Sequence, residues 1–199
     1  MLKRLILPFP VLLTALLLLA PCAPASAQMS SDLIYPQEQL KPVDSAIKVK
    51  VGDKAPDFEL PCVDGGTLRL SEFLGQDNVV LSFVPAAFTP VCSAQWPGYN
   101  IAHEIFDDYD TMLIGITVDN IPTLFAWTRE MGLWFPVVSD FWPHGAVAAR
   151  YGVLRGDGTA ERCLILVDKQ GIIRYIDVHD VNSRPDFGKL VEAMKKLQH

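Results

Sequence analysis

The chain has 199 residues, half of them hydrophobic, with 17 Lys+Arg against 23 Asp+Glu and a formal net charge of −6. That length suits a single domain with a sizeable core. Without Met1 to Ala27, whose only charges are Lys3 and Arg4, 15 Lys+Arg face 23 Asp+Glu, a net of −8. A basic phosphate-binding surface, and with it a nucleic-acid partner, is therefore not expected. The composition also excludes collagen, coiled-coil, low-complexity and multi-span membrane proteins.

Residues 1–27 have the layout of a signal peptide. Lys3 and Arg4 form a positive start, Val11 to Ala20 an apolar stretch, and Ala25-Ser26-Ala27 a small-residue cleavage site before Gln28. The apolar stretch after Pro8 and Pro10 falls short of the ~20 residues a bilayer span needs. Leu19-Ala20-Pro21-Cys22 loosely matches a lipid-attachment signal, but Pro21 fits that peptidase poorly. The expected mature protein is exported, periplasmic or secreted, without stable membrane insertion.

Residues 28–50 are polar and proline-bearing, without a sustained period, and read as a tether or extended arm. The domain proper is expected over 51–199. Phe58-Glu59-Leu60 and Thr67 to Leu70 alternate around a turn-rich Pro61 to Gly66, which predicts a hairpin. Val79 to Val84 is a dense apolar run of the buried-strand kind. Tyr99, Ala102, Ile105, Phe106 and Tyr109 share one helical face, predicting a helix from Cys92 to about Asp108. Met112 to Val118 reads as a second buried strand, so the unit is a right-handed βαβ crossover.

A helix is expected from Ile121 to about Met131, a short strand over Pro136 to Ser139, and a short helix over Ala146 to Tyr151. Cys163 to Val167 and Ile172 to Ile176 flank Asp168-Lys169-Gln170-Gly171, a connection tight enough to require antiparallel neighbours. Phe187, Leu190, Val191, Met194 and Leu197 make an amphipathic terminal helix behind Pro185. The order is that of an α/β, thioredoxin-like fold, with an N-terminal hairpin extension and an insertion, about Gly132 to Glu161, before the final ββα unit.

In that fold the working cysteine sits where the first strand's loop meets its helix, and Cys92 has that place. After cleavage three cysteines remain, Cys62, Cys92 and Cys163. An odd number in an exported chain leaves at least one thiol unpaired within it. No C-x-x-C occurs, and His103, His144, His179 and His199 are scattered, so no zinc site is expected. A helix N-terminus favours thiolate, and Thr89 places a hydroxyl three residues before the thiol.

Pro85, Thr89 and Cys92 fit P-x-x-x-T-x-x-C, and Phe83 to Cys92 (FVPAAFTPVC) resembles the active-site segment of the peroxiredoxins, the AhpC/TSA-type thiol peroxidases. The likeness continues through Gly52 to Phe58, Phe135-Pro136, Ser139-Asp140, Tyr151-Gly152-Val153 and Arg162, and runs from Val51 to Leu197. It implies that Cys92 attacks a peroxide. The Thr89 hydroxyl, the Cys92 backbone N–H and Arg162 would donate hydrogen bonds along the path of moving charge, while Pro85 shields the sulfur. From position alone Arg162 would read as a surface ion pair with Glu161; only the resemblance assigns it to the site.

Many relatives have Glu three residues after this cysteine; here Gln95 stands there, and a looser polar network around Arg162 is expected. One branch's resolving thiol position holds Pro97, and no cysteine follows Cys163. Cys163 should point away from the site if Arg162 points toward it, and Cys62 lies in a turn at unknown distance, so neither stands out as a resolving thiol. The expected cycle uses one cysteine and an external thiol or thioredoxin-like reductant. Hydrogen peroxide or organic hydroperoxides would be substrates, no cofactor or metal is needed, and the resemblance implies a homodimer.

Two other readings use the same fold. A thiol-disulfide oxidoreductase needs a second thiol beside the first, which Cys92-Ser93-Ala94-Gln95 lacks. A copper or redox-sensing module needs a second soft ligand in the loop. Trp96, Trp127, Trp134 and Trp142 are expected as core or interface residues, with Trp96 placed to report on the site.

Overall fold

A computed structural model describes residues 31–198. The signal segment, Cys22, the start at Gln28, and His199 lie outside the described residues. Seven strands and five helices follow in the order β1 (Glu59–Pro61), β2 (Thr67–Arg69), β3 (Asn78–Phe83), α1 (Cys92–Ile101), α2 (His103–Asp108), β4 (Thr111–Thr117), α3 (Ile121–Met131), β5 (Val137–Ser139), α4 (Ala146–Tyr151), β6 (Arg162–Val167), β7 (Ile173–His179) and α5 (Phe187–Lys195). The hairpin β1–β2 stands apart, and the others form one sheet in the order β5-β4-β3-β6-β7.

Parallel pairing of β3, β4 and β5, with β6 antiparallel to β3 and β7 antiparallel to β6, makes the thioredoxin-like βαβ and ββα halves. Strands β3 and β6 are buried along their whole length, as their continuous apolar runs require. Two apolar layers cover the sheet. One holds Leu81, Phe83, Cys163, Ile165 and Tyr151; the other holds Cys92, Trp96, Phe106, Leu164, Leu166 and Met194. The period of two along β6 thus sends Cys163 and its flanking residues to opposite faces.

The expected single helix after Cys92 is broken. Ala102 leaves helical geometry (φ −96, ψ 12) and separates α1 from α2. The Trp134 indole N–H donates to the Tyr99 carbonyl at 3.2 Å, while the Asn100 amide ties itself to the Met131 and Gly132 carbonyls. Tertiary partners thus engage the last turn of α1, and Pro97 within it removes one backbone donor. Gly115 in β4 allows close approach: a Cβ there would lie 2.7 Å from the Trp96 ring. The indole therefore lies flat against the sheet and carries α1 with it.

Residues 34–50 do not form a free tether. The segment is extended yet hydrogen-bonded along the body, with Lys48 N–H donating to the Tyr151 carbonyl and Val181 N–H to the Pro42 carbonyl. Gly152 (φ 80) lets it pass, since a Cβ there would sit 2.3 Å from the Ala46 carbonyl oxygen.

Candidate active site

Cys92 occupies the first position of α1, where a backbone N–H has no acceptor within the helix. Its thiol is fully buried. The loop that delivers it is held from below: the Ala87 N–H donates to Asp119 Oδ2 at 2.8 Å, and the Thr117 hydroxyl binds the same oxygen at 2.7 Å. Phe88 has a left-handed backbone (φ 56), unusual for a bulky residue, and its carbonyl accepts the Tyr35 N–H at 2.8 Å. Pro85 is buried directly after β3.

Arg162 opens β6 and is 1% exposed. Its Nη2 reaches Cys92 Sγ at 3.4 Å, while Nε and Nη2 both donate to the Val181 carbonyl, at 3.1 and 3.0 Å. Nη1 donates to Gln95 Oε1. Residues 70 positions apart in sequence thereby meet at one sulfur. No carboxylate pairs with Arg162 among the described residues. Glu161 instead pairs with Arg155 at 2.7 Å, with both side chains buried.

Gln95 is more firmly placed than its neutral amide suggested. Its Oε1 faces Arg162, and its Nε2 donates to the Tyr99 hydroxyl at 3.0 Å and lies 3.5 Å from the Ser82 hydroxyl. The Trp96 indole N–H donates to that same Ser82 hydroxyl at 3.0 Å. Burial pushes the Tyr99 phenol up to about 12, with the Gln95 hydrogen bond and the Arg162 charge acting the other way. Tyr99 is therefore a neutral member of the network at neutral pH.

Thr89 departs from its expected role as a donor. Its hydroxyl proton is used on the Ala86 carbonyl at 2.9 Å, so the oxygen is left as an acceptor. The structure brings Pro85, Thr89, Cys92 and Arg162 into one loop and strand-end region. It does not bring the other two cysteines there.

Cys163 packs in the opposite apolar layer, and burial drives its thiol far above the ordinary range, with Asp177 and Glu161 adding to the effect. Cys62 pairs with Val138 of β5, so three strand spacings, about 14 Å, separate it from β3. A disulfide spans Cα atoms only about 7 Å apart. Among the described residues Cys62, Cys92 and Cys163 form no disulfide with one another.

Sequence reasoning missed Val181, Asp119, Ser82 and Tyr99. Val181 acts through its backbone carbonyl, which no residue type marks. Ser82 offered a faint signal as the one polar residue in the apolar run of β3.

Residues 51–176 match the model of the AhpC/TSA family. Alkyl hydroperoxide reductase E of Mycobacterium tuberculosis is 37% identical over 150 residues, covering 75% of this chain and 98% of that protein. A chloroplastic 2-cysteine peroxiredoxin of Chattonella marina is 36% identical over 163 residues, covering 76% of this chain and 80% of that protein. Among solved structures, the reduced 2-Cys peroxiredoxin of Plasmodium vivax superposes with TM-score 0.70 at 26% identity, over 75% of this chain and 82% of that one. The peroxidoxin BcpB of M. tuberculosis does so with TM-score 0.68 at 27% identity, over 75% and 99%. The fold and the matches together define a thioredoxin-like thiol enzyme. The chain belongs to the AhpC/TSA family and is a peroxiredoxin, a thiol-dependent peroxidase.

Proposed function

We propose that this chain is an exported one-cysteine peroxiredoxin in which Cys92 reduces hydrogen peroxide or organic hydroperoxides. The observation that carries the assignment is the 3.4 Å approach of the Arg162 guanidinium to the Cys92 sulfur. A thiol at a helix start with a guanidinium N–H against its sulfur is placed to attack an electrophile whose departing oxygen that donor stabilises.

In the first step the thiolate lone pair forms an S–O bond to the nearer peroxide oxygen as the O–O bond breaks. That electron pair leaves on the farther oxygen as hydroxide or alkoxide, which takes up a proton. Sulfur is oxidised to sulfenic acid while the peroxide is reduced. Arg162 and the Cys92 N–H donate toward the charge as it moves, the Thr89 hydroxyl oxygen accepts a hydrogen bond from the O–H of the bound hydroperoxide, and Pro85 keeps water from the sulfur.

The second step needs an external thiol or thioredoxin-like reductant. It forms a mixed disulfide with Cys92 and releases water, and a second thiol then frees Cys92. The placement of Cys62 beyond β5 and of Cys163 on the other face of the sheet supports this over an internal disulfide. Residues 1–27 support export with cleavage before Gln28, to the periplasm or outside the cell, and the family supports a homodimer.

Intact mass spectrometry after one equivalent of peroxide, with a sulfenate trap present, tests the cycle. A single trapped adduct on Cys92 is expected; loss of two mass units without an adduct would show an internal disulfide and refute the one-cysteine scheme. N-terminal sequencing from the native compartment tests export and the cleavage site, with Gln28 expected first; retention of Met1 would refute export, and a lipid on Cys22 would refute cleavage before Gln28.

A further inference from the structure

The arm ahead of the family domain touches the site at three points. Its Tyr35 N–H holds the Phe88 carbonyl, in the loop that delivers Cys92. Its Pro42 carbonyl accepts the N–H of Val181, whose own carbonyl takes two N–H groups of Arg162. Its Asp44 N–H donates to buried Glu161, the neighbour of Arg162 in the chain, at 2.6 Å. Between the first two contacts the Asn182 amide clasps Leu40 in both directions, accepting its N–H at 2.9 Å and donating to its carbonyl at 2.8 Å.

The span so held borders an open cavity of about 220 Å³. Residues 37–40 of the arm, Leu40 among them, line one side of it. Pro90 and Val91, the two residues before Cys92, form another side, with Val181 and Asn182. The family match begins only at residue 51, so this wall is an addition to the family domain.

We propose that residues 35–44 form a size-selecting wall of the peroxidatic site, with Leu40 as its specificity-determining side chain. This rests on the assignment of Cys92 as the peroxidatic thiol. Val91, which lines the cavity, adjoins Cys92 in the chain, and Val181, which also lines it, holds Arg162 through its carbonyl; a peroxide that approaches Cys92 on this side passes the arm. Hydrogen peroxide passes; a hydroperoxide with a bulky organic group meets Leu40. The same contacts hold Val181 against Arg162, so the wall and the guanidinium keep a fixed relation.

Two substitutions of opposite size test the assignment in the full mature chain. Leu40→Ala keeps the backbone bonds to Asn182 and opens the wall; Leu40→Trp fills the cavity. Rapid mixing with hydrogen peroxide and with cumene hydroperoxide, followed by tryptophan fluorescence of the parent and the Ala variant and by quenched mass spectrometry of all three, yields the two second-order constants for Cys92 oxidation. The ratio of cumene hydroperoxide to hydrogen peroxide should rise about tenfold in Leu40→Ala and fall by a similar factor in Leu40→Trp.

A loss of packing alone would lower the thermal midpoint and move both constants together, leaving the ratio unchanged. Ratios within twofold of the parent in both variants, or moved in the same direction, overturn the inference while leaving the role of Cys92 intact. A parent that forms no sulfenate at Cys92 overturns that role, and the inference with it.

Discussion

Cys92 and Cys163 are equally buried, one at the start of the helix that follows β3 and the other in β6 beside β3, yet their surroundings are opposite. Cys92 lies on the helix-covered layer, at the start of α1, with a guanidinium against its sulfur. Cys163 follows Arg162 by one residue but faces the other apolar layer, where burial opposes its ionisation and Asp177 and Glu161 add to the effect. Burial alone therefore does not make two thiols alike: what sets Cys92 apart is its place at a helix start and the guanidinium donor at its sulfur.

The sharpest way to break this contrast is to remove each sulfur in turn. Cys92→Ser should lower the rate of peroxide consumption by at least about 10³-fold, while Cys163→Ser and Cys62→Ser stay within about twofold in that first step. Rapid mixing with substoichiometric peroxide measures it apart from recycling. Parent-like consumption by Cys92→Ser would sink the assignment.

Next in size is Arg162. Arg162→Ala should slow peroxide attack about 10²-fold, the usual cost of losing one preorganised donor. Arg162→Lys should recover only part of it, because a lysine cannot bridge Gln95, Val181 and the sulfur at once. Circular dichroism of both variants separates this from unfolding. Unchanged kinetics in a folded Arg162→Ala protein would show that the guanidinium serves structure alone.

Thr89→Val should cost about 10-fold or more, since it removes the acceptor oxygen and the bond to the Ala86 carbonyl together, whereas Thr89→Ser should remain within a few fold. Equal rates for the two variants would place Thr89 outside the reaction.

The smallest effect concerns Cys163. Its folded-state thiol titrates far above the ordinary 9.0, so the folded protein keeps a proton that the unfolded chain gives up. Stability is then fully present below about pH 9 and is lost as pH rises above it, by up to about 1.4 kcal/mol per pH unit. Buried Tyr99 acts in the same direction, but only above about pH 10. Chemical denaturation between pH 9 and 10 should show a slope in the parent that is absent in Cys163→Ala. Parallel slopes would mean the thiol is not shielded as the structure has it.

Local pattern was sufficient for most of the framework. The apolar runs of β3, β4 and β6, the alternation of the hairpin and the amphipathic faces of α3 and α5 each report their surroundings through side-chain period, which tertiary contacts only reinforce. The segment from Pro85 to Cys92 was legible as a motif through its resemblance to the peroxiredoxins, because its residues are neighbours in the chain.

Contacts between distant residues were not readable in this way. The break at Ala102 follows from indole and amide groups of later segments that engage the end of α1. Gln95 seemed a weakened position until Arg162 from β6 and Ser82 from β3 converged on it. The arm is the clearest case: residues 34–50 have no period because they bury no face of their own. Their order comes from backbone groups paired with Tyr151, Glu161, Val181 and Asn182, more than a hundred residues away in the chain. Side-chain pattern encodes which surface a segment will bury, whereas backbone partners are supplied by the folded body, and only the assembled fold brings them within hydrogen-bonding distance.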